Sequence, residues 1–437
     1  MIKAIRGTKD ILPGDSYRWQ ILESVSRGVF SRFGYKEIRT PIIEETALFV
    51  KSVGEDTDIV NKEMFSFVDR GERNISLRPE GTAPIVRAYL ENNLCKTAPF
   101  QKLYYMGPMF RAERPQAGRL RQFHQIGLEA IGSFSPALDA EVIRILTALL
   151  SENGIKDYEL RINNLGCHDD KKKLSAALRA EFSSSDVSQQ LCEDCRRRVN
   201  TNPLRLLDCK NDKCRQTVRK NFKKIDFLCQ SCRDHFAEVL KFLDILKIRY
   251  AVDPYIVRGL DYYTKTVFEV VQMSLGSQNA IGAGGRYDSL ISDMGGPRTG
   301  ACGFALGADR MIMALGSDAA SAAAAEGGVD IFLAVLGAKA YDKAFAVLDE
   351  LRSAGLSCEI DYEAKSLKAQ MRAADGMNAR FVLILGEDEM AKGEALLRNM
   401  KTREQTSLKL EAIAGSIKEK IHSEVKLKCY VLILAVN

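Results

Sequence analysis

The chain has 437 residues, of which 46% are hydrophobic and 27% charged, a balance that suits two or three folded domains rather than a disordered or fibrous protein. No run of eighteen apolar residues occurs, so no membrane-spanning helix is expected, and the opening Met1–Arg6 lacks the apolar core of a secretion signal, so a cytoplasmic location is expected. The net charge of +6 is unevenly placed: residues 167–250 carry 19 Lys/Arg against 12 Asp/Glu, and residues 196–224 carry 11 against 2, a block that fits either a polyanion such as RNA or a solvated face.

In chain order, helix signals run over residues 16–33 and 137–152. Strand-like runs occupy residues 75–78, 103–106, 125–129 and 266–271. These strands often follow one another without helices between, which predicts an α+β domain, an antiparallel sheet flanked by helices, built from residues 1–166 and 251–316. The basic segment 167–250 reads as a mainly helical insertion that splits it. Residues 317–328 are small and bounded by glycines, and read as a linker. Beyond it a buried-strand run at 329–336, a helix at 341–354, a strand at 358–362, a helix at 365–374 and a strand at 381–385 predict an α/β domain with a largely parallel sheet over 329–437. The apolar stretch 430–436 reads as a final strand on that sheet.

Six cysteines of the basic insertion fall in close pairs, as Cys192-x2-Cys195, Cys209-x4-Cys214 and Cys229-x2-Cys232. Paired spacings of this kind are metal-ligand spacings, and four thiolates suffice for a structural zinc; buried reduced thiols are the alternative. His168 and His235 read as surface or core histidines, and His124 is assigned no chemistry.

Residues 109–123 place arginines on both arms of a turn that carries Pro115 and Gly118. When ATP activates an acid, negative charge grows at the α-phosphate as pyrophosphate leaves, and fixed cations there stabilise the transition state more than the ground state. Arg111 is the candidate for the α-phosphate. Arg121 is grouped with it, Phe123 suits stacking on adenine, and Glu113 suits its exocyclic amine. Standing alone, the segment also fits an exposed hairpin with a charged rim. Arg310 follows a glycine-rich strand-to-helix turn, Gly303–Asp309, from which it reaches adenine or the γ-phosphate.

The segment Val257–Thr264 gathers one guanidinium, one carboxylate and two phenols, a mixture suited to a small polar substrate beside a phosphate. This run resembles the histidine-binding signature of histidyl-tRNA synthetases. Arg6–Pro13, Leu77–Thr82 and Gly284–Asp288 resemble further signatures of that family, and residues 34–41, 109–123 and 303–310 resemble the three ordered motifs of class II aminoacyl-tRNA synthetases. The resemblance covers essentially the whole chain. It implies ATP-dependent joining of L-histidine to tRNA(His) through a histidyl-adenylate, with Mg²⁺ on the nucleotide, a homodimer whose interface includes residues 34–41, and an anticodon-binding C-terminal domain. It implies a histidine pocket of Glu80, Gly81, Thr82, Arg111, Gln125, Glu129, Arg258, Tyr262, Tyr263 and Tyr287, with Glu80, Thr82 and Gln125 on the α-ammonium. Glu129, Tyr263 and Tyr287 would read the imidazole nitrogens, while Tyr262 suits packing. It puts Arg114 and Gln116 at the tRNA acceptor end. Arg258 is expected beside the α-phosphate in place of a metal ion, because a guanidinium matches phosphate by paired hydrogen bonds; a salt bridge to Asp261 is its bland alternative. Two rivals remain at this stage: a synthetase-like regulatory subunit of histidine biosynthesis, which typically lacks the anticodon-binding domain, and a general RNA-binding module.

Overall fold

The fold is that of a computed structural model, which describes residues 2–315 and 328–421 apart from 56, 117, 210, 222–225, 274, 276–278 and 364. The chain divides into two compact units, residues 1–316 and 317–437. The expected linker, except Gly328, and the expected last strand at 430–436 lie outside the described residues.

The first unit is built on an eight-stranded sheet in the order Lys36–Glu37, Gln101–Phe110, Gln122–Ile131, Ala301–Gly307, Ala280–Arg286, Thr264–Val271, Glu159–Asn164, Ala251–Val252. Every pairing is antiparallel except those of the two short edge strands. Side chains alternate across the sheet. One face, with Tyr104, Ile126, Leu128, Phe268 and Val270, packs on helices Pro13–Arg32, Pro136–Glu152 and Gln230–Ile245. Helix Pro13–Arg32 starts on a proline, has Asp15 in its first turn and Arg32 in its last, and buries Leu22, Ser26, Val29 and Phe30 at helical spacing.

The other face carries the site. Register sets Tyr105, Gly127, Ala305, Ala283 and Glu269 side by side across five strands. Three small residues between a phenol and a carboxylate leave a hollow in the sheet surface. The regular elements among the insertion's described residues are all helical: His168–Phe182, Ser185–Ser188, Glu193–Thr201, a 3₁₀ turn at Pro203–Leu206, Asp212–Asn221 and Gln230–Ile245. Its last helix belongs to the core of the main sheet, where Val239 and Leu243 are fully buried.

A separate three-stranded sheet, in the order Ile43–Glu45, Asn74–Leu77, Phe65–Val68, is oddly faced. Ile43, Phe65, Phe67, Ile75 and Leu77 share one side by register. That side is left open, with Ile43 49% and Phe67 47% exposed. The opposite side holds the buried Ser76 hydroxyl, bonded to Thr46 and Ser66.

The second unit has a five-stranded sheet in the order Cys358–Ile360, Ile331–Leu336, Phe381–Gly386, Glu394–Asn399, Gln405–Lys409. The first three strands are parallel and the last two are antiparallel additions, so the sheet is half parallel rather than largely so. Helix Ala338–Ser353 covers one face and helix Leu367–Gly376 the other, which is why Ile331–Leu336 reads as a continuous apolar run.

Candidate active site

The hollow on the large sheet opens into a cavity of about 190 Å³, room for a small ligand rather than a single water. Glu80, Thr82, Arg111, Glu113, Phe123, Gln125, Arg258, Tyr262, Tyr263 and Arg310, all candidates from the sequence, line it together with Tyr105 and Arg119. Its far end meets a second, more polar cavity of about 450 Å³ between the sheet and the insertion. Arg111, Glu113, Arg119, Arg258 and Arg310 border both.

Glu80 lies just ahead of helix Thr82–Glu91 and caps it: its Oε2 accepts from the Thr82 N–H at 2.7 Å and its Oε1 from the Ala83 N–H at 2.8 Å. Burial raises its pKa, and those two N–H groups oppose the rise. Behind Glu80, Glu129 accepts from Thr82 Oγ1 at 2.6 Å and from the Tyr287 hydroxyl. Burial pushes the Glu129 carboxyl up to about 8 against the pull of these two donors.

Arg258 donates to Glu269 Oε1 at 2.7 Å, while its buried Nε makes no hydrogen bond among the described residues. Burial disfavours its charge, yet Glu269 and the neighbouring Tyr263 hydroxyl outweigh that and hold its pKa up. The anticipated alternative partner, Asp261, is occupied elsewhere: it accepts from Asn202 Nδ2 at 3.1 Å, and Lys171 Nζ donates to the Asp261 carbonyl at 2.7 Å and the Tyr263 carbonyl at 3.0 Å. The insertion thus grips the segment that carries Arg258, and Arg205 Nη1 adds a contact to the Arg258 carbonyl at 3.3 Å.

On the opposite wall, Arg111 donates to the Pro79 carbonyl at 3.1 Å and stacks on Phe123, 5.3 Å from the ring centre. Arg310 donates to the Gly118 carbonyl at 2.9 Å and also to that of Ala280. Burial, with the like charges of Arg119 and Arg111 nearby, lowers the Arg310 pKa. Guanidiniums that crowd at one cavity suit a polyanionic ligand.

Several candidates stand elsewhere. Tyr287 and Glu129 are spent on each other beneath the cavity and do not line it. Gly81 is also outside the lining; a Cβ there would fall 2.4 Å from the Tyr105 ring, as one at Gly127 would fall 2.5 Å from it, so both glycines make room for that ring. Arg121 is drawn under the N-terminal segment, where its N–H donates to the Gly7 carbonyl at 2.7 Å, and Arg119 stands in the cavity instead. Glu113 is paired with Arg119 at 2.9 Å. Arg114 and Gln116 sit exposed on the turn. Tyr105 was not singled out by sequence; its only signal was the pair of glycines it needs. Its hydroxyl and Gln125 Oε1 are buried and make no hydrogen bond among the described residues.

The paired insertion cysteines do not form one group. Cys192, Cys195, Cys209 and Cys214 converge, while Cys229 and Cys232 join Cys167 and Asp170. His235 is a core histidine, bonded at 2.8 Å to the buried Asp139 that also holds Arg286.

Comparison with known proteins gives the same picture. Residues 7–311 match the family described as histidyl-tRNA synthetase, and residues 330–420 match the anticodon binding domain. A histidine–tRNA ligase of Geobacter metallireducens is 48% identical over 96% of this chain and 100% of its own length, and one of Syntrophotalea carbinolica is 48% identical over 96% and 99%. The apo crystal structure of Staphylococcus aureus histidyl-tRNA synthetase is 35% identical, covers 96% of this chain and 100% of its own, and superposes with a TM-score of 0.78. With a matching family over both units and the motif residues gathered at one cavity, the chain belongs to the histidyl-tRNA synthetase family.

Proposed function

We propose that the cavity joins L-histidine to AMP and that the chain then passes the histidyl group to tRNA(His), in the cytoplasm, during protein synthesis. One observation carries this reading. Three buried polar atoms with no hydrogen-bond partner among the described residues, Tyr105 Oη, Gln125 Oε1 and Arg258 Nε, belong to residues that line one cavity, and buried polar groups are normally satisfied. A small polar substrate at the Tyr105–Gln125 end and a phosphate at the Arg258 end would satisfy all three.

In this reading Glu80, Thr82 and Gln125 receive the α-ammonium, and Tyr105 with Tyr263 faces the imidazole. Glu129 and Tyr287 act from beneath by fixing Thr82. ATP enters as its Mg²⁺ complex, with adenine against Phe123 and Arg310 and the α-phosphate between Arg111 and Arg258. The histidine carboxylate attacks in line and pyrophosphate leaves. The work is positioning and charge stabilisation, and Glu269 keeps the Arg258 fork oriented. Arg114 and Gln116 meet the acceptor end from the exposed turn, and the second unit takes the anticodon loop. The domain reading is a catalytic body of residues 1–166 and 251–316, an insertion of 167–250 and an anticodon-binding domain of 329–437. The functional molecule is a homodimer, supported by the apolar face of the three-stranded sheet, which directly follows residues 34–41.

Histidine-dependent exchange of pyrophosphate into ATP tests the reading. Exchange with histidine and none with other amino acids is expected. Histidine binding without exchange would overturn it in favour of a synthetase-like regulatory subunit.

A further inference from the structure

The insertion's inner helices are poorly equipped to hold themselves together. Helix Glu193–Thr201 buries only Cys195 and Val199, and helix Asp212–Asn221 only Cys214 and Val218. Burying one valine contributes roughly 1.5–3 kcal/mol, whereas ordering one residue's backbone costs about 1–2 kcal/mol. Two polar helices of this size need a further staple, and the sulfurs lie where one would sit.

The Sγ atoms of Cys192, Cys195, Cys209 and Cys214 all lie within 4.8 Å of one another. The Cys192–Cys209 pair is 3.8 Å apart. Thiolates about 2.3 Å from a central zinc at tetrahedral angles stand about 3.8 Å from each other. The spacing is far too long for a disulfide, all four are free cysteines, and the sulfurs are too tightly grouped to bracket a cluster of several irons. Arg198 lies beside Cys195, offering charge to a thiolate. A second group repeats the pattern: Cys167, Cys229, Cys232 and the Asp170 carboxylate converge within the same 4.8 Å limit. Asp170 is fully buried, and its two oxygens accept from the Cys229 N–H at 3.0 Å and the Cys167 N–H at 3.3 Å, which aims the carboxylate among these sulfurs.

We propose that the insertion holds two structural zinc ions, one in a Cys192–Cys195–Cys209–Cys214 site and one in a Cys167–Asp170–Cys229–Cys232 site. On binding, each thiol releases its proton to solvent and the ligand set closes around the metal with no open position. Both sites act on the catalytic segment. Asn202 and Arg205, which hold Asp261 and the Arg258 carbonyl, lie between the cysteine pairs of the first site. Lys171, which holds two carbonyls of that segment, is adjacent to Asp170 in the second.

The test is metal content per chain of purified full-length protein by mass spectrometry, with a parallel sample produced in cobalt. Two zinc ions per chain are expected, with the visible bands of tetrahedral cobalt thiolate in the second sample. Cys195→Ser and Cys214→Ser should each lower the content to one, as should Cys232→Ser and Asp170→Asn at the other site. Metal-free protein whose seven cluster thiols all react under native conditions, or are disulfide-bonded, overturns the proposal. A single zinc lost only in the Cys195→Ser and Cys214→Ser proteins overturns the second site. Should the variants fail to fold, the wild-type metal count and cobalt spectrum still decide.

Discussion

At the scale of single residues, the site is a set of charges whose surroundings fix what they do. Arg258 is oriented by Glu269, and its Nε has no partner among the described residues. A lysine there has a point charge but no fork, so Arg258→Lys is expected to slow adenylate formation by about 10²-fold or more, by analogy with loss of one preorganised donor. Rapid-quench measurement of the first turnover checks this, and near-normal rates would remove Arg258 from the step. Glu129 gives a stability signature. Its folded pKa, about 8, lies above that of an unfolded glutamate at about 4.3. The folded state therefore keeps a proton that the unfolded chain loses, so this stabilisation is full in acid and fades as pH rises between those values, by at most about 1.4 kcal/mol per pH unit. Glu129→Gln should flatten that fall, read from urea midpoints between pH 5 and 8. Sequence named most of this cavity because its residues sit in tight local motifs. It missed Tyr105 because nothing in a run of Tyr104-Tyr105 tells which ring faces which side. It left Asp261 open as the partner of Arg258 because the true partner sits eleven residues on, across the strand.

At the scale of elements, glycine content decides both what was legible and why the hollow exists. The long helices and the apolar strands announced themselves by period. Strand Ala280–Arg286 did not, because Gly282, Gly284 and Gly285 weaken any strand signal. Packing demands them: a Cβ at Gly284 would fall 2.2 Å from the Gly303 carbonyl oxygen. The end of that strand is anchored by Arg286, which is fully buried, donates to Asp139 through Nε at 2.9 Å and through Nη2, and ties the strand to helix Pro136–Glu152. Burial acts to raise the Asp139 pKa, but Arg286 and His235 outweigh it and hold it low. Asp139→Asn removes the fully buried one of the two carboxylates on this guanidinium, the other being Asp288 at 2.9 Å from Nη1, and is expected to destabilise the fold by about 3 kcal/mol. Denaturant unfolding checks this, and a loss under 1 kcal/mol would mean that water or Asp288 replaces the partner.

At the scale of the molecule, the division into two units and the fold of each could be read from the change in strand and helix rhythm near residue 328. The added antiparallel strands could not: Glu394–Asn399 buries Ala395 and Leu397 but offers only a short apolar run between charges, and Gln405–Lys409 is a polar edge strand. The three-stranded sheet with Ile43 and Phe67 outward is expected to be covered by a second protomer. Phe67→Asp should raise the dimer dissociation constant by at least ~10-fold, on the scale of about 1.4 kcal/mol or more for burying a charge in an apolar contact. Analytical ultracentrifugation reads the shift, and an unchanged dimer would place the interface elsewhere. A further consequence concerns supply. In the proposed homodimer, a newly made subunit that has met no sister keeps this greasy patch wet, and such patches invite aggregation and proteolysis. Pairing stabilises by mass action, so scarce expression would lose a larger share of its product than abundant expression, and the yield of working enzyme would climb faster than the rate at which the message is translated.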